Sequence, residues 1–244
     1  MTRGSFSTVV GALAVGTALM LAGCSKEPTK AVDLAFVNHI QAGLPEQDVF
    51  VEAAGLSAGK VARIEGDAAK DPGNLSKTVY ASSAAVPHDP FKMGPNPMGP
   101  SDRGASLGFT LEKWLGATVK GNYQVTGDNG ETTITADKLV PNATYTVWCS
   151  RLTFPPKPAV VDTPCGKADG SQNSFKTDKD GKGTFSVKAK KLLDSTKETT
   201  SLIALAYHSD EKTYGATPGA FGMNSHVQVF VMIPPPDDMH WTTK

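Results

Sequence analysis

An antiparallel β-sandwich is the fold class this sequence predicts, and three observations predict it. First, from Gly121 onward the chain is a series of short runs rich in Val, Ile, Thr, Tyr and Phe, broken by Gly, Pro and Asp-Gly or Asn-Gly pairs. Second, "ATYTVWCSRLTF" alternates: Tyr145, Val147 and Cys149 fall on one side of an extended chain, Thr144, Thr146 and Trp148 on the other. Third, Cys149 and Cys165 form an even pair, which in an exported chain reads as a disulfide rather than a metal or redox site. A thiol site would need CxxC spacing or a nearby histidine, and neither is present.

Taken in order, "VDLAFVNHIQAGL" has helical spacing, with Val32, Phe36 and Ile40 on one side. "DVFVEAAG" and "GKVARIEG" read as short strands. Residues 86–104, "VPHDPFKMGPNPMGPSDRG", hold five prolines and read as a long loop or extended arm lying over the fold. Thr110 is placed to cap one short helix containing Leu111, Trp114 and Leu115. "NYQVTG" and "ETTITADKL" flank a "GDNG" hairpin turn, and "SFKTDKDGKGTFSVKAKKL" reads as a second hairpin turned at Asp180-Gly181. "TSLIALAYHS" and "HVQVFVMIP" complete the strands, and the tail "PPPDDMHWTTK" leaves the last of them. Sandwich and disulfide together suggest an immunoglobulin-like architecture, without antibody-type spacing, since the tryptophan directly precedes a cysteine.

The N-terminus speaks to location. One basic residue, Arg3, precedes an apolar stretch from Val9 to Ala22, too short and too rich in Gly and Ala for a membrane-spanning helix. It ends in "LAGC", which resembles the lipobox of bacterial lipoproteins. The resemblance implies a signal peptide over 1–23, cleavage before Cys24, and a lipid anchor (palmitate among its acyl chains) on that cysteine, with residues 24–44 as tether and 45–244 as the sandwich domain. Ser25 follows rather than an aspartate, which in a two-membrane envelope implies the outer membrane. Without residues 1–23 the chain has 23 Lys plus Arg against 24 Asp plus Glu, so no basic excess points to nucleic acid.

Two groups of side chains are candidates for chemistry. If the last two strands pair with residue numbers summing to 434, Ile203 meets Val231, Leu205 meets Val229, and His208 meets His226. The two imidazoles would then share the mouth of a 17-residue loop. They are either ligands for one metal ion or ordinary strand-end residues of a hairpin. His88, Met93 and Met98 in the arm, with Met223 in the loop, add thioethers and an imidazole of the kind copper prefers. Gap-filling beneath the arm is the more ordinary account of the methionines. "DKDGKG" lacks the further ligands of a calcium loop and reads as a tight turn. No nucleophile elbow, HExxH or phosphate-binding loop occurs, so no enzyme is expected.

Two functions follow as expectations. The first is a membrane-anchored envelope lipoprotein that binds or supports another envelope protein or a surface polymer, and it predicts an exposed apolar or aromatic patch. The second is a copper-handling lipoprotein, and it predicts a third ligand close to both His208 and His226.

Overall fold

The computed structural model describes residues 30–44, 48–64, 66–95 and 97–233. Residues 1–23, where a signal peptide is expected, Cys24 and the C-terminal tail lie outside the described residues. The fold is an all-β sandwich. Its strands are β1 (Lys30–Ala35), β2 (Lys60–Val61), β3 (Thr78–Ser82), β4 (Ser101–Thr110), β5 (Thr118–Thr126) and β6 (Asn129–Asp137). They continue with β7 (Thr144–Thr153), β8 (Ala159–Val161), β9 (Ser174–Lys176), β10 (Gly183–Lys190), β11 (Thr199–His208) and β12 (Ser225–Ile233). Two short helices, α1 (Pro72–Leu75) and α2 (Leu111–Leu115), interrupt them.

One sheet has the order β1-β5-β6-β10. The second runs β12-β11-β7-β8, with β9 also paired to β7, and a small third sheet runs β2-β4-β3. The core lies between the first two. Ile134, Ala136, Phe185 and Val187 from one sheet and Tyr145, Val147, Ile203, Leu205 and Val229 from the other belong to one buried cluster. Burying side chains such as Ile203 and Leu205 stabilises the fold by about 1.5–3 kcal/mol each. The third sheet joins through Val79 and Phe109, whose ring stacks on Trp114 at 5.8 Å.

Cys149 and Cys165 are bonded, with Cα atoms 4.9 Å apart. The bridge does not join the two facing sheets. It ties β7 to the chain just past β8, where Cys149 N–H donates to Thr163 O and Cys165 N–H to Val147 O. It therefore fixes the edge of the five-stranded sheet. The Thr110 cap is also as expected, its hydroxyl accepting from Lys113 N–H at 3.4 Å.

Three local expectations are corrected. Residues 30–35 are strand, because pairing along β5 satisfies their backbone while Leu34 is buried; the helical spacing of Val32 and Phe36 coincides with that alternation. Residues 101–104 of the arm begin β4, the residues after Pro100 being free of proline and able to pair with β2 and β3. β9 and β10 do not form a hairpin: β9 pairs with β7 and β10 with β6, so the chain crosses between sheets. Asp178 makes that crossing tight, its Oδ1 accepting from Asp180 N–H and Lys182 N–H. Gly181 closes it at φ +76°, where a Cβ would stand 2.2 Å from Leu139 O.

Replacing both Cys149 and Cys165 with alanine should cost about 3 kcal/mol and lower Tm on the order of 10 °C, measurable by calorimetry. Hydrogen exchange should increase first at β8. An unchanged Tm would show that the edge holds without the bridge.

Candidate functional site

The outward-facing row of the five-stranded sheet is apolar, which is unusual for a face away from the main core. Trp148 on β7, Ala204 and Ala206 on β11, and Val227 and Phe230 on β12 make a second buried cluster, joined by Val37, Leu44, Leu202, Phe221 and Met232. Two segments cover part of this face. Val37 is bridged to Phe230 through paired backbone hydrogen bonds, bringing residues 37–44 over β12. The arm comes from the other side. Val86 N–H donates to Phe221 O, Ser82 N–H donates to Gly222 O, and the His88 ring stacks on Phe221 at 4.1 Å. Gly222 allows this approach, since a Cβ there would stand 2.4 Å from Val86 Cγ2.

Asp48 joins these pieces. Its side chain has 0% exposure. One carboxylate oxygen accepts from His88 Nδ1 at 2.9 Å, and the other accepts from Val227 N–H at 2.9 Å. Its backbone carbonyl accepts from His226 Nδ1 at 2.6 Å. His39 lies edge-on to His88 at 5.3 Å and against Phe230 at 5.0 Å. Behind the arm, the buried Arg63 donates to Pro87 O and Pro97 O. Burial opposes the Asp48 charge, but His88 by charge and hydrogen bond, then His39 and Val227 N–H, hold its pKa below the usual carboxylate value.

What remains uncovered is a cleft of about 70 Å³. Trp148, Leu152, Leu202, Phe221 and Phe230 form its walls. Polar groups occur at two places. His39 and His88 lie at the β12 side, and Ser150 and Asp162 lie at the β8 side, where Ser150 Oγ donates to Asp162 Oδ1 at 2.6 Å.

Of the sequence-derived ligand candidates, His88 and His226 meet at Asp48, one on its carboxylate and one on its backbone carbonyl. The 434 register holds from Ile203↔Val231 to Leu205↔Val229 and then shifts, so Ala206 meets Val227, Tyr207 meets His226 and His208 meets Ser225. The expected His208–His226 cross-strand pair is therefore corrected. The cause is a β-bulge at Gln228, whose buried amide is held by remote groups: Nε2 donates to Trp114 O at 2.9 Å and Oε1 accepts from Tyr145 O–H at 2.5 Å. His208 shares a hydrogen bond from Nε2 to Thr146 Oγ1, which also accepts from Trp148 Nε1. His226 uses both nitrogens, Nδ1 on Asp48 O and Nε2 on Ser209 Oγ at 3.0 Å. His88 is with Asp48. Met93 and Met98 are half-buried in the arm, and Met223 is 45% exposed. Among the described residues no three His, Cys, Asp or Glu side chains are arranged to hold a metal ion.

Asp48, His39 and Asp162 were not singled out from sequence. Only the outward position of Trp148 in its alternating strand was a signal for this face. The chain matches no family model and no curated protein sequence.

The buried histidines set a pH dependence. Burial lowers His39 from 6.5 to about 3, with the His88 charge adding to it; burial likewise lowers His208 to about 4 and moves His226 downward. The unfolded chain therefore binds protons below pH 6.5 that the folded chain refuses. Each histidine contributes stability that is complete above pH 6.5 and falls as pH drops toward its folded value, by up to about 1.4 kcal/mol per pH unit. Asp48 adds in the same direction below its ordinary 3.8. Denaturant midpoints should thus be level from pH 8 to 7 and decline steadily from 6.5 to 4. His39→Phe should flatten that decline. Stability unchanged down to pH 4 would contradict the arrangement.

Proposed function

We propose that the chain is an envelope lipoprotein, anchored in the membrane through Cys24, whose β-sandwich is a binding module for another envelope protein or surface macromolecule. The cleft on the outer face of the five-stranded sheet carries this reading. The cleft combines apolar and aromatic walls, Trp148, Leu202, Phe221 and Phe230, with a few polar groups, His39, Ser150 and Asp162, which is the make-up of a binding pocket. Its rim is held in place rather than loose. The 17 residues between His208 and His226 are braced by Tyr214, whose hydroxyl donates to Asp210 and accepts from Asn224 Nδ2. Long loops with such internal bracing commonly serve binding. The lipobox supports an anchor at Cys24, and an outer-membrane address follows from Ser25 where the envelope has two membranes.

Two measurements check this. Metabolic labelling with palmitate should tag the protein and not its Cys24→Ala variant; no label on the wild type, or equal label on the variant, would exclude the anchor at Cys24. A photo-crosslinking residue at Leu202, in the cleft, should give one discrete adduct in intact cells that is lost when Ala204→Trp fills the cleft. The same residue at Thr133, exposed on β6, should not give that adduct. An identical adduct from both positions would contradict the cleft as the binding surface.

A further inference from the structure

We propose that the cleft is a socket for a lysine side chain presented by a partner protein, with Asp162 receiving the ammonium group. The inference rests on the binding-module reading and names what the module takes.

Size is the first argument. A cleft of about 70 Å³ is well above the roughly 10–15 Å³ that a single water needs, so it admits a long side chain. A lysine side chain, a four-carbon stem and one nitrogen, is of that kind. A whole helix or strand does not enter such a space, but one side chain from it does.

The second argument is the distribution of polarity. Leu152, Leu202 and Phe230 provide an apolar wall of the kind that lysine stems cover while the charged head stays at a polar rim. Asp162 is that rim. It follows directly after β8, across from Ser150, and is half-buried. Among the described residues its one hydrogen-bond donor is the Ser150 hydroxyl, and no Lys, Arg or His is paired with it. A half-exposed carboxylate without a cationic partner at the end of an apolar cleft favours a cation. Trp148 adds an aromatic surface favourable to the same charge.

The third argument is the opposite end. The cleft extends from β12 to β8, three strand spacings or about 14 Å. His39, held neutral by burial, and His88, paired with Asp48, lie at the β12 end. A cation at Asp162 therefore lies at the end of the cleft away from His88, which is itself paired with the Asp48 carboxylate. A carboxylate-bearing side chain would meet Asp162 head-on.

The test uses the mature lipidated chain in zwitterionic nanodiscs, labelled with 5-fluorotryptophan, with the Trp148 resonance assigned from Trp148→Phe. N-acetyl-lysine amide should shift that resonance saturably. N-acetyl-norleucine amide, the same stem without the nitrogen, should bind at least five-fold more weakly. Asp162→Asn keeps an acceptor for Ser150 and should weaken the lysine probe at least five-fold while leaving norleucine unaffected. Equal binding of the two probes, or lysine binding indifferent to Asp162→Asn, would overturn the socket while leaving an apolar binding module. No Trp148 shift with either probe at 100 mM would overturn the socket, and the Leu202 crosslink would still decide whether the cleft binds a partner.

Discussion

A buried carboxylate organises this molecule. Asp48 has no solvent contact, yet its two oxygens and its carbonyl satisfy His88, Val227 N–H and His226. A charge removed from water costs several kcal/mol unless every lone pair finds a donor, and removing one partner from such a set is more costly than never having built it. The three partners come from the arm and the last strand, elements that share no sheet. Satisfying Asp48 therefore fixes where the arm lies. The arm in turn positions Phe221 and the His88 ring, and these set one wall of the cleft. The cleft is thus a consequence of polar satisfaction nearby, not of apolar packing alone.

The sandwich proper is simpler. Its main core is built from alternating residues of facing strands, and such a core tolerates much variation provided pattern and volume are kept. The outer face is different because its apolar residues have no second sheet to meet. Residues 37–44, the arm and the loop after β11 take that place in part. A partial cover leaves a partial cavity. The bulge at Gln228 belongs to the same arrangement: by adding one residue to β12, it turns His226 toward Asp48 and leaves His208 to Thr146 and Trp148.

Alternation made the sandwich legible, because burial on one face repeats every second residue and is local to each strand. The Ile203↔Val231 and Leu205↔Val229 pairs were readable for that reason. The histidine pairing was not, since the bulge depends on Trp114 O and Tyr145 O–H, groups more than 80 residues from Gln228. The crossing between β9 and β10 defeats local reading in another way: Asp178 and Gly181 make the same tight turn whether or not the flanking strands pair with each other. Asp48 sits in "PEQDVFVE", where an acidic residue before a β-run looks like an ordinary solvated strand start. Its role is set entirely by residues 40 and 179 positions away.

Amide hydrogen exchange on Asp48→Ala tests the central claim most directly, that this carboxylate holds the cover that forms the cleft. The account predicts that Val227, Val86 and the 37–44 segment lose protection by ten-fold or more, while Val147 and Ile203 in the main core change little. Loss of protection spread evenly over both sheets, or none at the arm, would contradict it.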